Sequence, residues 1–316
     1  MATAYIFPGQ GSQIVGMGKA LADRSPVARE VFDAVDTALG EKLSRTIFEG
    51  PEAELTLTAN AQPALMAVSL AALRVLESEA GLDLSKAAKF VAGHSLGEYS
   101  ALCAAGALTI QDAARLLRLR GAAMQAAVPV GEGAMAALIG VELEGARAIA
   151  KEAADAAGAV CQVANDNGGG QVVLSGAKAA VEKAMEISKT HGVKRAVPLP
   201  VSAPFHCALM QPAADAMRAA LADAAIARPV VPVVANVTAA AVEAPEDIRR
   251  LLVEQVTGTV RWRESVLFMA QAGVTKFVEC GAGKVLAGLL KRIDPNVSGI
   301  SVGAPADIEA YRAYVV

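Results

Sequence analysis

The sequence is poor in aromatic residues, which fill 4% of its 316 positions and include a single tryptophan, although hydrophobic residues make up 54%. The apolar content is therefore mostly aliphatic residues and alanine. That suits a sizeable core of helices and parallel strands and excludes a disordered chain. Runs of five like charges are also missing, and 29 basic against 32 acidic residues leave a net charge of -3. A nucleic-acid partner is not expected from that balance. Mean hydropathy is +0.40, yet the long apolar stretches are interrupted by charge or proline, as at Arg74 after residues 63–73 and at Pro229 and Pro232. No segment reads as membrane-spanning, so no membrane partner is expected. The four cysteines, Cys103, Cys161, Cys207 and Cys280, form no C-x-x-C and have no histidine pair beside them, which removes the usual zinc patterns and fits a reducing compartment. A strand-like run, Ala4 to Phe7, starts too close to Met1 to leave room for a signal or transit peptide. A cytoplasmic location is expected.

What is present is an alternation of short apolar runs with helical patterns, the mark of an α/β protein. The length suits one large domain or two, at about 100–200 residues each. Ala61 to Glu79 reads as a buried helix, Lys89 to Ala92 as a strand, Glu98 to Ala105 and Ile110 to Val128 as helices. Pro129, Gly131 and Gly133 then break the chain. Beyond them the order is strand 134–141, helix 144–157, strand 160–164, strand 171–175, helix 178–190 and strand 195–200. This β-α-β-β-α-β order is ferredoxin-like. It predicts a small α+β subdomain at 131–200 inserted into a larger α/β domain made of 1–130 and 201–316. In the latter part, helices are expected at 209–225, 248–257, 263–272 and 284–292, with strands at 230–236 and 276–279.

The strongest local signal is Gly93-His94-Ser95-Leu96-Gly97, a G-x-S-x-G between a predicted strand and a predicted helix. A nucleophile on so sharp a turn needs glycines on both sides, because strand and helix approach too closely for side chains. A serine nucleophile also needs a base, and the chain has three histidines, His94, His191 and His206. His94 adjoins the serine and should project away from it. His191 precedes Gly192 at a helix C-terminus, where a histidine is structural. His206, in the loop Ser202-Ala203-Pro204-Phe205-His206, falls where the insertion closes and is the base candidate.

Acyl transfer further requires donors for an oxyanion. One follows from the elbow, the backbone N–H of Leu96. The loop Phe7-Pro8-Gly9-Gln10-Gly11-Ser12-Gln13 after the first strand is the second source, with the Gln10 N–H the candidate. A dinucleotide fingerprint there would need glycine where Ile14 stands, and the Gly-Lys-Ser/Thr ending of a phosphate-binding loop is absent.

Together the 7–13 loop with Gly16-Met17, Ala61-Gln62-Pro63-Ala64-Leu65, Gly93 to Glu98, Arg118-Leu119-Arg120-Gly121 and Pro200-Val201-Ser202 with Phe205-His206 resemble the malonyl-CoA:acyl carrier protein transacylase family, in the family's order over nearly the whole chain. The resemblance implies a hydrolase-like parallel-sheet core with a ferredoxin-like insertion. It also implies Ser95 as the acylated residue, His206 as its base, Gln10 and Leu96 as oxyanion donors, and Arg120 as the partner of a free malonyl carboxylate, a task suited to a two-pronged guanidinium. Gln255 resembles the residue that orients the histidine, in place of a hydrolase's aspartate. Substrate contacts are implied for His94, Gln62, Asn165 and Arg195. Thr257-Gly258, where the family often has proline, and Asn167-Gly168-Gly169-Gly170, where proline often precedes the final glycine, depart from the pattern without removing a reactive group.

The activity so implied is a two-step transfer through an acyl-serine, from malonyl-CoA to the phosphopantetheine thiol of an acyl carrier protein, by a monomer with no metal or redox cofactor. Lys284, Lys291 and Arg292 on one predicted helix form a candidate docking face for the acidic carrier. The alternatives are a serine esterase or thioesterase that sends the acyl group to water, and a degenerate domain that only docks a carrier. Arg120 and the lack of an obvious triad acid weigh against the first, and the presence of both Ser95 and His206 against the second.

Overall fold

The computed structural model describes residues 2–201 and 203–315; Ser202, part of the His206 loop, lies outside them. Among the described residues ten strands build two sheets: β1 (Ala2–Phe7), β2 (Ala88–Gly93), β3 (Gly133–Ile139), β4 (Cys161–Gly168), β5 (Gln171–Ala177), β6 (Arg195–Pro198), β7 (Val233–Ala235), β8 (Ala240–Val242), β9 (Val274–Cys280) and β10 (Ser298–Val302). The larger sheet has the order β10-β9-β1-β2-β7-β8 and is parallel except for the β7–β8 hairpin. β1 is buried from Thr3 to Phe7. Such continuous burial is what a parallel strand covered by helices on both faces requires.

The smaller sheet, β4-β5-β3-β6, is antiparallel and carries the helices Leu143–Ala157 and Lys178–Ile187. Alanine, valine and leucine from the sheet and both helices form a separate core there. The fold class is thus the α/β one expected, a hydrolase-like parallel sheet joined by a ferredoxin-like α+β unit.

Between β1 and β2 the long helix Thr58–Ala80 runs through the main core. By length and composition it could cross a membrane, but 83% of its most apolar window is buried inside the protein. The helix Ile110–Ala126 touches its first turn through Gly121, where a β-carbon would lie 2.5 Å from the Thr58 carbonyl oxygen. That contact brings Arg120 against Gln62.

Several elements differ from the sequence reading. The strand expected at 230–236 shrinks to β7, because Pro229 and Pro232 have no N–H for a ladder and Asn236 leaves the sheet for another task. The hairpin strand β8, the edge strand β10, the C-terminal helix Asp307–Val315 and the helices between Lys19 and Leu55 were not anticipated. The last of the predicted helices begins at Val285, with Lys284 as its N-cap. Lys284, whose carbonyl accepts from the Gly288 N–H at 3.1 Å, and Lys291 are both exposed.

Candidate active site

Ligands of parallel sheets collect at the carboxyl ends of the strands, and here two such ends are adjacent. Phe7 of β1 is in register with Gly93 of β2, and the His94 N–H donates to the Phe7 carbonyl at 3.0 Å. The chain then turns at Ser95 into the helix Gly97–Ala104. A β-carbon on Gly93 would stand 1.8 Å from the Gly97 carbonyl oxygen, and one on Gly97 2.3 Å from that of Phe7, so both elbow glycines are steric requirements. Ser95 itself takes φ = 53°, a left-handed value uncommon outside glycine. His206 takes φ = 58°. Both reactive candidates therefore sit on strained backbone.

The serine and the histidine meet. Ser95 Oγ lies 2.7 Å from His206 Nε2, and His206 Nδ1 lies 2.9 Å from the backbone carbonyl of Gln255. A carbonyl can only accept, so Nδ1 carries the proton and Nε2 is left to accept from the serine hydroxyl. Burial, followed by the nearby Arg120 charge, pushes the His206 imidazolium down to about 3. At neutral pH the ring is a free base.

Gln255 thus holds the histidine, but through its main chain. Its side chain is turned the other way, with Oε1 accepting from Arg120 Nη2 at 2.8 Å and Nε2 donating to Glu98 at 2.9 Å and to the Ser95 carbonyl at 3.0 Å. Arg120 is 1% exposed and is not a helix-surface arginine. Its Nη1 donates to Gln62 Oε1 at 2.8 Å, its Nη2 also reaches Ser95 Oγ at 3.2 Å, and its Nε has no partner among the described residues. It lies over the Tyr99 ring at 5.9 Å.

A cavity of about 870 Å³ opens between the two sheets. Gln10, Gln62, His94, Ser95, Leu96, Arg120, Asn165 and His206 all line it, whereas Gln255 is buried beneath it. Arg195 is not brought in: it is exposed at the start of β6, paired with Ile139. The N–H groups of Gln10 and Leu96 have no protein acceptor among the described residues, as oxyanion donors require. The Gln10 side chain is engaged with Thr58 Oγ1 at 3.5 Å.

Three polar residues that sequence reasoning did not single out complete the site. Asn236, just past β7, accepts the Ser95 N–H at 2.7 Å and donates to the Gly93 carbonyl at 2.7 Å, locking the elbow. Glu98 accepts the Asn236 N–H at 3.0 Å. Asn167 on β4 pairs with His94 Nε2 at 2.9 Å, so His94 does turn away from the nucleophile, while its ring lies 5.8 Å from that of Trp262. β4 is fastened to the larger unit by Asp166–Arg263 at 2.8 Å and by backbone bonds between Val260 and both Ala164 and Asp166. Among the described residues no three His, Cys, Asp or Glu side chains gather as a metal site, and the four cysteines are buried and free.

Comparison with known proteins gives a consistent set of relatives. The acyl transferase domain family matches residues 4–301. The malonyl CoA-acyl carrier protein transacylase of Bacillus subtilis (strain 168) is 47% identical over 306 residues, 97% of this chain and 95% of that protein. The crystal structure of acyl-carrier-protein-S-malonyltransferase from Bartonella henselae superposes with a TM-score of 0.96 at 56% identity, covering 100% of this chain and 99% of that one. A malonyl-transacylase solved in complex with its type II PKS acyl-carrier protein superposes with a TM-score of 0.94 at 43% identity, covering 99% of each chain.

Proposed function

The chain belongs to the acyl transferase family and within it to the malonyl-CoA:acyl carrier protein transacylases, and from that premise we propose that it loads malonyl groups from coenzyme A onto an acyl carrier protein through a malonyl ester of Ser95. The observation that carries this reading is the meeting of three groups in one cavity: a serine hydroxyl, a neutral imidazole 2.7 Å from it, and a buried guanidinium 3.2 Å from the same oxygen. An esterase needs the first two; the third suits an acyl group with a free carboxylate.

In the proposed first step His206 Nε2 takes the Ser95 proton, Oγ attacks the thioester carbon, and the Gln10 and Leu96 amides hold the oxyanion. The carbon–sulfur bond then breaks and His206 returns the proton to the coenzyme A thiol. The second step reverses this with the phosphopantetheine thiol as nucleophile. Gln62, His94 and Asn165 line the path for substrate. Each step uses side chains and backbone amides, with no step assigned to a metal or redox cofactor. We read the protein as a cytoplasmic monomer with no nucleic-acid or membrane partner, and residues 131–200 as a subdomain inserted into a body formed by 1–130 and 201–316.

Intact-protein mass spectrometry after exposure to malonyl-CoA tests the transfer. A stable adduct of malonyl mass, discharged by adding carrier protein, is the expected result; rapid loss of the adduct to water without carrier would make the protein a thioesterase.

Burial, which holds the His206 imidazolium well below its ordinary range, predicts a pH dependence. The imidazole is already neutral well below the ordinary histidine range, so the acylation rate at saturating malonyl-CoA should stay flat from pH 8 to pH 5. A stopped-flow profile with a limb near pH 6.5 would contradict that protonation state. His206→Ala should slow acylation by at least about a hundredfold. His191→Ala should leave it unchanged, since His191 is a surface residue paired with Glu152 at 3.0 Å.

A further inference from the structure

Glu98 has no part in the chemistry described so far, yet it is 2% exposed directly behind the elbow. Among the described residues no cationic side chain reaches it. Its Oε2 accepts from the Asn236 N–H and from Gln255 Nε2. Arg120, equally buried, has no carboxylate against it among the described residues and donates instead to Gln255 Oε1. A carboxylate only accepts and a guanidinium only donates, so these neighbours fix which way the Gln255 amide faces. Two opposite buried charges are thus joined through a single neutral amide.

The arrangement matters for a carboxylate-bearing substrate. A direct ion pair would occupy the guanidinium, and an uncompensated cation would be costly to bury. We propose that Glu98 is the internal counter-charge of Arg120, held one amide away by Gln255, and that an acyl carboxylate settling on Arg120 drives a proton from solvent onto Glu98. This rests on the reading that Arg120 receives the malonyl carboxylate. Two carboxylates then share one guanidinium, and the one less well supplied with donors is the one to be neutralised. Burial has already pushed the Glu98 carboxyl up to about 7. The ionisable groups acting on it are Arg120 and Tyr99, while Gln255 and Asn236 face it as neutral donors and His206 stays uncharged. A second negative charge can only raise it further.

Serine acylation itself moves one proton from Ser95 to the leaving thiol and takes none from solvent. Proton uptake beyond that, measured with an indicator dye in weak buffer at pH 7, should therefore reach up to about half a proton per serine loaded with malonyl-CoA and should be absent with acetyl-CoA. By linkage, the ratio of malonyl-CoA to acetyl-CoA KM should rise roughly threefold to tenfold from pH 6 to pH 8, and taking the ratio cancels the coenzyme's own phosphates. In Glu98→Gln both effects should vanish; the amide can still offer an oxygen to Asn236 and Gln255. Equal proton balance for the two esters in the wild type overturns the proposal without any variant, as does an uptake that persists in Glu98→Gln. Arg120→Ala separates the two levels. An unchanged acyl preference there removes the Arg120 reading, whereas a collapsed preference with no malonyl-linked proton in the wild type removes the role of Glu98 alone.

Discussion

Ser95→Ala should take up no malonyl group from malonyl-CoA and should transfer at least about a thousandfold more slowly than the wild type, because among the described residues no other hydroxyl in the cavity has a base against it. Among the described residues the other hydroxyl lining the cavity, Thr56, has no imidazole against it and donates to the backbone carbonyl of Glu52 at 2.8 Å. Peptide mapping of the wild-type adduct is the check. A label on Ser12, Ser202 or Thr56 would overturn the assignment of the nucleophile. The substitution should be mild for folding, since the elbow is held by the Asn236 side chain through the Ser95 backbone N–H, which alanine keeps.

Arg120→Ala should invert the choice of acyl group. Each charge-assisted hydrogen bond from a buried guanidinium to a carboxylate contributes roughly 1.5–3 kcal/mol. An acetyl methyl opposite the same group adds a desolvation cost without a bond. Together these predict a wild-type preference for malonyl-CoA over acetyl-CoA of at least about a hundredfold in kcat/KM. With alanine both contributions disappear, so malonyl transfer should fall steeply while acetyl transfer holds or rises. Paired kcat/KM measurements on both proteins decide the matter, and an unchanged ratio would reduce Arg120 to a packing residue. Gln62 and Gln255, which hold the guanidinium at 2.8 Å each, would then be left with unpaired amide oxygens, so the variant should also be less stable.

The parts of this site that were legible in the sequence are those whose chemistry is local. A strand, a tight turn and a helix are contiguous, so the elbow and the serine upon it could be read from ten residues. The small sheet was legible for a similar reason: alternating apolar runs separated by glycine turns repeat over the span from Gly133 to Pro198. Residues that act through a distant partner were not legible. Asn236 meets Ser95 across 141 positions and Gln255 meets Glu98 across 157. No periodicity encodes such a meeting. Glu98 did leave one trace, as the only charge on a helix buried without a break from Gly97 to Cys103, a place where a carboxylate needs a reason. Gln255 was found through family resemblance, which names a residue and not which of its atoms does the work; here it is the main-chain carbonyl that faces His206. Arg195 was carried over in the same way and lies outside the cavity.

The backbone angles at Ser95 and His206 bear on any attempt to make this protein hardier. Non-glycine residues in the left-handed region cost on the order of 1–3 kcal/mol each, and two of the three such residues described here are the pair that shares the catalytic proton. A stability screen blind to activity would therefore be drawn to glycine at these two positions, where relief of strain and loss of the reacting atom arrive in the same substitution. Stabilised variants of this enzyme should be sought in the outer helices, with residues 93–97 and 205–206 held fixed from the start.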